Sequence, residues 1–469
     1  MPNLYSMLWR SGAGISLNKN SSPSGLLFFG DDFKMPMEYD AIVVGAGPAG
    51  SAAALVMAQN NMSVLLLERG LYPGAKNMFG GTIYRQPTEE LIPAFWKEAP
   101  LERPVVTDEL WLMEKDSAVK IGFTGFKFAK PPYNKFTALR VNFDSWLAKK
   151  AENSGARLMT KALVKDLVFE KIGIAGRKVS GVVLEDGEQI KSDLVIIAEG
   201  ASGSLAEKAG LRSKITPDDV VLYVKEILEL PASKIEDRFN LEKDEGASFG
   251  MIGYPVSGAI GKGGIFTNKN SLSLMVGLYL NQIIYKRLNP CSLMQNFKEH
   301  PLIKRLIADA KPLEFQAHIL PKGGYEQIPK LSAPGVMVAG DAAMMISGRR
   351  GTDLAMLTGK FAGETAVQAK SAGDFSEKIL SFYDKKVRTS FFMKDIAAGK
   401  GSKKYYERHP DADFLLSKIA NESAYKYFEV DLMPFSAKLD SIISEIANFQ
   451  SLSKSLSDIY YGYLNWGVF

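Results

Sequence analysis

Three glycines, Gly45, Gly47 and Gly50, follow the apolar run from Ala41 to Val44 in the spacing G-x-G-x-x-G, with Pro48 and Ala49 between them opening a helix. That spacing permits a tight turn, a close approach of backbone to a pyrophosphate, and close packing of the helix on the preceding strand. The unpaired N–H groups and positive dipole end of the helix point where phosphates would sit. A second apolar run, from Val64 to Leu67, ends in Glu68, where a carboxylate can accept both hydroxyls of an adenosine ribose. Strand, turn, helix, strand and acid in this order form a dinucleotide clamp, a unit that serves NAD and FAD alike.

Two later stretches bear on the ligand. In DLVIIAEGASGSLAEKAG from Asp193, a strand runs into Ala198, Glu199, Gly200 and Gly203 and then a helix, a second glycine turn at the carboxyl end of a parallel strand. In GVMVAGDAAMMISGRRGTDLAMLTGKFAGETA from Gly335, Val336 to Ala339 reads as a buried strand, Gly340 frees the turn, and Asp341 stands at its end. A carboxylate there can accept from a polyol hydroxyl. Gly351 and Thr352 then open a long helix whose free N–H groups would face a flavin ring and favour the negative charge it develops near N1 and O2 on reduction. Asp353 either belongs to that surface or is a dipole-matched acid of the first turn. The Asp341 strand and the Gly351 helix make the clamp the adenosine half of an FAD site.

The elements that must position these groups are legible in outline. RGLYPGAKNMFGGTIY, from Arg69, has glycines at 70, 74, 80 and 81 and suits close approach to a ligand, with Lys76 and Asn77 as donors, or else a solvated surface loop. Residues 108–123 and 136–141 alternate apolar with polar and read as strands of a second sheet. Arg140 ends one of them, before Asn142 or Asp144 caps a helix from Ser145 to Ser154; it could reach a cofactor or pair with an acid. Residues 163–169, 179–185 and 190–197 form a small β group turning at Asp186 and Gly187. Residues 220–230, 247–253 and 263–280 read as further strands, the last a hairpin through Thr267 to Asn270, and 376–469 as helices.

Composition excludes several classes. With 469 residues and 46% hydrophobic content the chain can bury more than one core. A net charge of +5 without an arginine-rich tract gives no basis for nucleic-acid binding. Cys291 is the only cysteine, which excludes an intrachain disulfide and a cluster held by the chain's own thiolates, and points to the cytoplasm. His300, His318 and His409 lack metal-ligand spacing and read as surface or packing residues; no metal is assigned. No run of eighteen apolar residues occurs, so no transmembrane helix is predicted. Residues 1–36, rich in Ser, Asn and Gly, read as a disordered tail or as an over-extended start with Met35 or Met37 as the real initiator. Lys403, Lys404 and Arg408 form either a solvated face or a contact to lipid headgroups or a partner.

Read together, the clamp, the AEG turn and the AGDAA strand-loop-helix resemble FAD-binding proteins of the glutathione-reductase type, in the branch of aromatic hydroxylases, geranylgeranyl reductases and electron transfer flavoprotein–quinone oxidoreductases. Within that branch the chain is most similar to the FixC family, from about Met37 to near Phe428. The likeness rests on LERGLYPGAKNMFGG at Leu67, LERPVVTDELWLM at Leu101, AEGASGSLAEKAGLR at Ala198, VKEILELPASKIEDRFN at Val224, GGYEQIPKL at Gly323 and GRRGTDLAMLTGK at Gly348. The resemblance implies a noncovalent FAD, with Gly45, Gly47 and Gly50 at the pyrophosphate and Glu68 at the ribose. It places Asp341 at the ribityl chain, Gly351 to Leu354 against the isoalloxazine, Gly80 and Gly81 in a loop over the flavin, and Gly323 and Gly324 near a quinone. Pro48, Ala49, Arg69, Arg140, Val164, Ala198, Gly200, Gly340, Thr352 and Asp353 complete the expected FAD-binding set.

The resemblance further implies electron transfer between an electron transfer flavoprotein and quinone. Quinone oxidoreductases of the mitochondrial type carry a four-cysteine cluster domain that this chain lacks. A separate ferredoxin-like protein of FixX type, beside FixA- and FixB-like flavoprotein subunits, is therefore the expected partner set, with a peripheral contact on the cytoplasmic membrane face. Reduction of isoprenoid double bonds, as in geranylgeranyl reductases, is the alternative; the comparable stretch GMIGYPVSG from Gly250 has Tyr254 and Pro255 but no Trp. The expected architecture is α/β: a Rossmann-like FAD-binding domain from residues 37–110, 140–215 and 325–375, an inserted mixed β-sheet substrate domain from 111–139 and 216–324, and a helical C-terminal region over 376–469. No catalytic side chain is assigned.

Overall fold

The computed structural model describes residues 38–466 apart from 76–79, 175, 323 and 349. The tail 1–36, the donors Lys76 and Asn77, and Gly323 lie outside the described residues. The first sheet is built on strands whose apolar runs are buried on both faces, the pattern of a parallel sheet covered by helices. In spatial order its main path is Ser332–Ala333, Val336–Val338, Gln189–Ile197, Glu38–Val44, Val64–Leu67 and Arg157–Met159. All are parallel except the short Ser332–Ala333, which returns antiparallel on Val336–Val338. The carboxyl ends of Glu38–Val44, Gln189–Ile197 and Val336–Val338 therefore meet side by side, although they are far apart in sequence. Gln189–Ile197 is shared: its first residues pair antiparallel with Gly176–Leu184, which pairs with Val164–Ile172.

The second sheet has the order Lys311–Pro321, Val220–Glu229, Ser271–Tyr279, Gly261–Thr267, Gly246–Gly253, Val105–Met113 and Ala118–Thr124. One face is a core of Val224, Phe249, Met251, Ile265, Leu274 and Val276, closed by Ile235, Leu293, Phe297 and Ile303 from the helices behind it. The other face looks toward the first sheet. Arg103 staples one end: its guanidinium donates to the carbonyls of Asn268, Glu245 and Lys269 and to Glu236.

Several boundaries differ from the sequence expectation. Val105–Met113 pairs with Gly246–Gly253, so the second sheet claims residues upstream of 111. The run 136–141 is not in that sheet: Lys135–Leu139 pairs with Gly80–Tyr84 in a separate two-stranded ribbon. The next helix starts at Arg140, five residues earlier than expected, and runs to Asn153 with Leu139 at its N-cap and no side-chain cap; Asn142 and Asp144, the two expected caps, both lie inside it, and Asp144 pairs with Arg140. Lys311–Pro321 was not foreseen as a strand; its strongly polar alternation resembles a loop until its pairing with Val220–Glu229 is known.

Among the described residues, six helices follow residue 376. Glu377–Arg388 locks onto the first sheet, where Tyr383 donates to the Val338 carbonyl at 2.8 Å and Asp384 accepts from Leu331 N–H and the Ser332 hydroxyl. Ala412–Phe428 locks onto the second, with Asn421 donating to the Leu112 carbonyl at 2.9 Å. Lys403 pairs with Asp219 at 3.0 Å, so this member of the basic cluster is an internal tie. Lys404 faces Glu326 at 3.6 Å.

Candidate functional site

Each glycine of the clamp meets a different neighbour. Gly45 has φ +102°, and a Cβ there would lie 2.4 Å from the Ala198 carbonyl oxygen; it makes the turn and touches the second glycine turn at once. A Cβ on Gly50 would lie 1.9 Å from the Gly45 carbonyl oxygen, so this residue lets the helix Pro48–Gln59 sit against the strand. Around Gly47 nothing lies within 4 Å: its missing side chain leaves open space at the uncapped helix N-terminus. Glu68 is pinned by the same turn, its Oε2 accepting from Ala46 N–H at 3.1 Å and its Oε1 from Gly70 N–H at 2.6 Å.

This open space belongs to a cavity of about 470 Å³, within the size range of cofactor and ligand sites. Of the residues expected from sequence it is lined by Gly45, Gly47, Pro48, Ala49, Glu68, Arg69, Gly80, Gly81, Arg140, Val164, Ala198, Gly200, Asp341, Gly351 and Thr352. Gly50, Gly340, Asp353 and Leu354 do not line it. Gly340 has φ +65° and packs against Ala49, where a Cβ would meet another at 2.8 Å. Asp353 is buried and held by Arg350 at 2.6 Å, and Leu354 is core. Helical spacing turns both away, which explains the miss: adjacent residues at a helix start cannot all face one ligand.

Arg140 pairs with an acid and also lines the cavity. Its Nε and Nη2 donate to Asp144 at 2.7 and 2.8 Å, and its Nη1 donates to the Thr352 hydroxyl at 3.1 Å. The pair ties the helix Arg140–Asn153 to the start of the long helix Thr352–Ala372. Asp341 stands opposite; enclosure by protein pushes its carboxyl up to about 6, against the pull of Arg140 and Lys225. Glu199 of the AEG turn lines the cavity and also caps the next helix, accepting from Leu205 and Ala206 N–H at 2.7 and 3.2 Å.

The far wall belongs to the sheet expected on the substrate side, but none of its residues was assigned to the site from the sequence. It is the free face of the second sheet, where Phe266, Met275, Ile252 and Leu110 form an apolar floor and Tyr223, Lys225 and His318 a polar corner. Tyr223 pairs with His318 across Val220–Glu229 and Lys311–Pro321. Burial, then the charges of Lys225, Arg140 and Arg69, holds the imidazole down at about 3, so His318 is neutral at pH 7 and is not the surface or packing residue expected. Burial, then Arg140, brings the Lys225 amine down to about 7, with Asp341 opposing. The signal was period-two polarity on a strand, which by itself reads as a solvent face.

The reserved space at Gly47 and Gly81, neither with an atom within 4 Å of a would-be Cβ, the helix start at Gly47, and the acids Glu68 and Asp341 fit an extended dinucleotide. Among the described residues no cluster of His, Cys, Asp or Glu could hold a metal ion.

Comparison with known proteins agrees with this geometry. Residues 40–227 match the family model described as FAD dependent oxidoreductase. The chain is 37% identical to Protein FixC of Bradyrhizobium diazoefficiens over 90% of its own length and 97% of that protein's. It is 36% identical to Protein FixC of Azotobacter vinelandii over 91% and 98%. Among solved structures, a geranylgeranyl bacteriochlorophyll reductase-like protein from Thermoplasma acidophilum superposes with a TM-score of 0.62 at 18% identity, covering 90% of this chain and 96% of that one. The myxobacterial chondrochloren halogenase CndH, an FAD-dependent halogenase, superposes with a TM-score of 0.58 at 18% identity, covering 92% and 98%. These two likenesses speak to the fold.

Proposed function

The chain belongs to the FixC family and is an FAD-dependent oxidoreductase, and from this premise we propose that it passes electrons between an electron transfer flavoprotein and a quinone. It does so as one subunit of a complex, beside FixA- and FixB-like flavoprotein subunits and a separate ferredoxin-like protein of FixX type. The observation that carries the reading is the shape of the cavity: a dinucleotide clamp on one side and, facing the start of the helix Thr352–Ala372, an apolar floor suited to a flat acceptor. FAD, when bound, supplies the exchange of two electrons.

The chain's own residues hold and orient. Gly45 and Gly47 and the N–H group of Ala49 take the pyrophosphate. Glu68 accepts from the ribose and Asp341 from the ribityl chain. Gly351 and Thr352 present the helix dipole to the ring, and Arg140, fixed by Asp144, keeps that helix start in place. Gly81 keeps the roof of the site open, while Gly50 and Gly340 shape the wall from behind.

The purified protein should be yellow, lose its visible flavin bands on mixing with reduced electron transfer flavoprotein, and regain them on adding quinone. A flavin that the flavoprotein reduces but quinone leaves bleached would refute the acceptor while leaving the oxidoreductase intact. Hydrogenated isoprenoid product in the same mixture would instead favour the geranylgeranyl-reductase alternative. A peripheral membrane contact is part of the proposal. Among the described residues no helix is long and apolar enough to cross a membrane, while Phe428, Val430, Leu432 and Phe435 stand exposed on the C-terminal helices and the loop between them.

A further inference from the structure

None of the polar corner's side chains belongs to the dinucleotide-holding set named above, although all three line the same cavity. Lys225 lies in the stretch from Val224 that carries the family likeness, on the strand Val220–Glu229. The strand's neighbours give the corner its form. Tyr223 faces Gly277 on Ser271–Tyr279, and a Cβ on that glycine would fall 2.1 Å from the tyrosine ring, so the ring lies across the adjacent strand. Lys225 pairs with Met275, an apolar neighbour, and its Nζ is 5.8 Å from the centre of the Tyr223 ring. Tyr223, Lys225 and Met275 open into the cavity that Asp341 and Thr352 line from the opposite side.

We propose that Lys225 is a catalytic residue, the proton donor to a carbonyl oxygen of the quinone, standing in the polar corner of an otherwise apolar acceptor wall. The inference rests on the acceptor being a quinone, as argued above. Quinone becomes quinol by taking up two electrons, which reach it from the bound flavin, and two protons. The Nζ–H bond of Lys225 breaks as an O–H bond forms on the nearer carbonyl oxygen, and the resulting neutral amine regains a proton from solvent. The second oxygen, at the other end of the ring, takes its proton from solvent.

Four other groups near Lys225 are poor donors at neutral pH. Arg140 keeps its proton and is clasped by Asp144. Burial raises the Tyr223 phenol beyond reach. His318, on the neighbouring strand, is already neutral. Asp341, from the turn Gly340–Ala343, is mostly ionised at pH 7. Lys262 also lines the cavity, from a strand two places away in the sheet. An amine near 7 is charged below that pH and gives its proton readily, the match that general-acid catalysis requires.

The test is stopped-flow oxidation of photoreduced holoenzyme by a short-chain benzoquinone and, separately, by ferricyanide, which takes electrons without protons. In Lys225→Met the ratio of quinone to ferricyanide rate should fall at least about tenfold, the low end of general-acid effects. The wild-type quinone rate should decline as pH rises through about 7 and the variant's should not. Lys225→Arg, charged but unable to release its proton, should remain slow. A ratio within twofold of wild type in Lys225→Met, or full recovery in Lys225→Arg, overturns the proposal. Wild-type protein oxidised by ferricyanide and not by quinone overturns the acceptor reading and this role with it. Should the variants lose flavin, competitive acetylation of wild-type protein with peptide mass spectrometry decides: labelling of Lys225 should titrate near 7, and titration in the ordinary lysine range overturns the assignment.

Discussion

Gly47 and Gly50 sit one helical turn apart, yet a methyl group on each would meet different things. At Gly47, with φ −77°, a side chain is conformationally tolerated and enters the cavity. Gly47→Val is therefore expected to weaken flavin binding by tenfold or more while the flavin-free protein keeps its melting temperature; visible absorbance and thermal denaturation read the two effects separately. Gly50→Val drives atoms into the Gly45 carbonyl and should destabilise the fold itself by about 3 kcal/mol or more. Asp341 gives a pH signature. Its folded carboxyl sits at about 6 against an ordinary 3.8, so the folded state binds the proton more tightly than the unfolded chain does. The resulting stabilisation is present below about pH 4 and is lost as pH rises through 6, a difference on the order of 2–3 kcal/mol. In flavin-free protein Asp341→Asn should remove this part of the pH dependence between 4 and 6 and raise the melting temperature at pH 7.

At the scale of elements, the site exists because two helices cross closely over the first sheet. Gly359 lies against the first helix, where a Cβ would be 2.1 Å from the Ala49 carbonyl oxygen, and Gly363 lies a turn later, 2.9 Å from that of Ala53. Thr358, beside Gly359, accepts from the Gly340 N–H at 3.0 Å, and Arg212 donates to the Ala342 carbonyl at 3.1 Å and the Ser202 carbonyl at 2.9 Å. Clamp, AEG turn and AGDAA turn are thereby held to one another by the long helix and one arginine. Helix propensity favours alanine over glycine by about 1 kcal/mol, whereas overlap in a packed contact costs about 1–3 kcal/mol. With an approach this close the overlap should win. Gly359→Ala is expected to lower the melting temperature and, because Ala49 adjoins the clamp, to speed flavin loss; an unchanged or higher melting temperature would show that the helices part without cost.

At the scale of the whole molecule, the helices after residue 376 brace both sheets and carry exposed apolar side chains away from the cavity. Val430→Glu with Leu432→Glu should reduce co-sedimentation with anionic lipid vesicles several-fold and leave the flavin spectrum unchanged, since neither side chain lines the site. Loss of flavin in that variant would point to a packing role instead. The near half of the cavity was legible in the chain because its chemistry is local: a glycine turn between a strand and a helix works through backbone within a few residues, so Gly45, Gly47, Glu68 and the Gly351 helix start could be placed from spacing. Asp353 and Leu354 were misplaced because spacing names a helix start without its rotation. Tyr223, Lys225 and His318 escaped altogether, as an alternating strand reads the same whether its polar face meets water or a cavity. The sequence by itself determined the fold family, the cofactor and the clamp. Only the tertiary structure decided which strand face closes the site and which charges share it, because pairing register and sheet order depend on contacts between residues far apart in the chain.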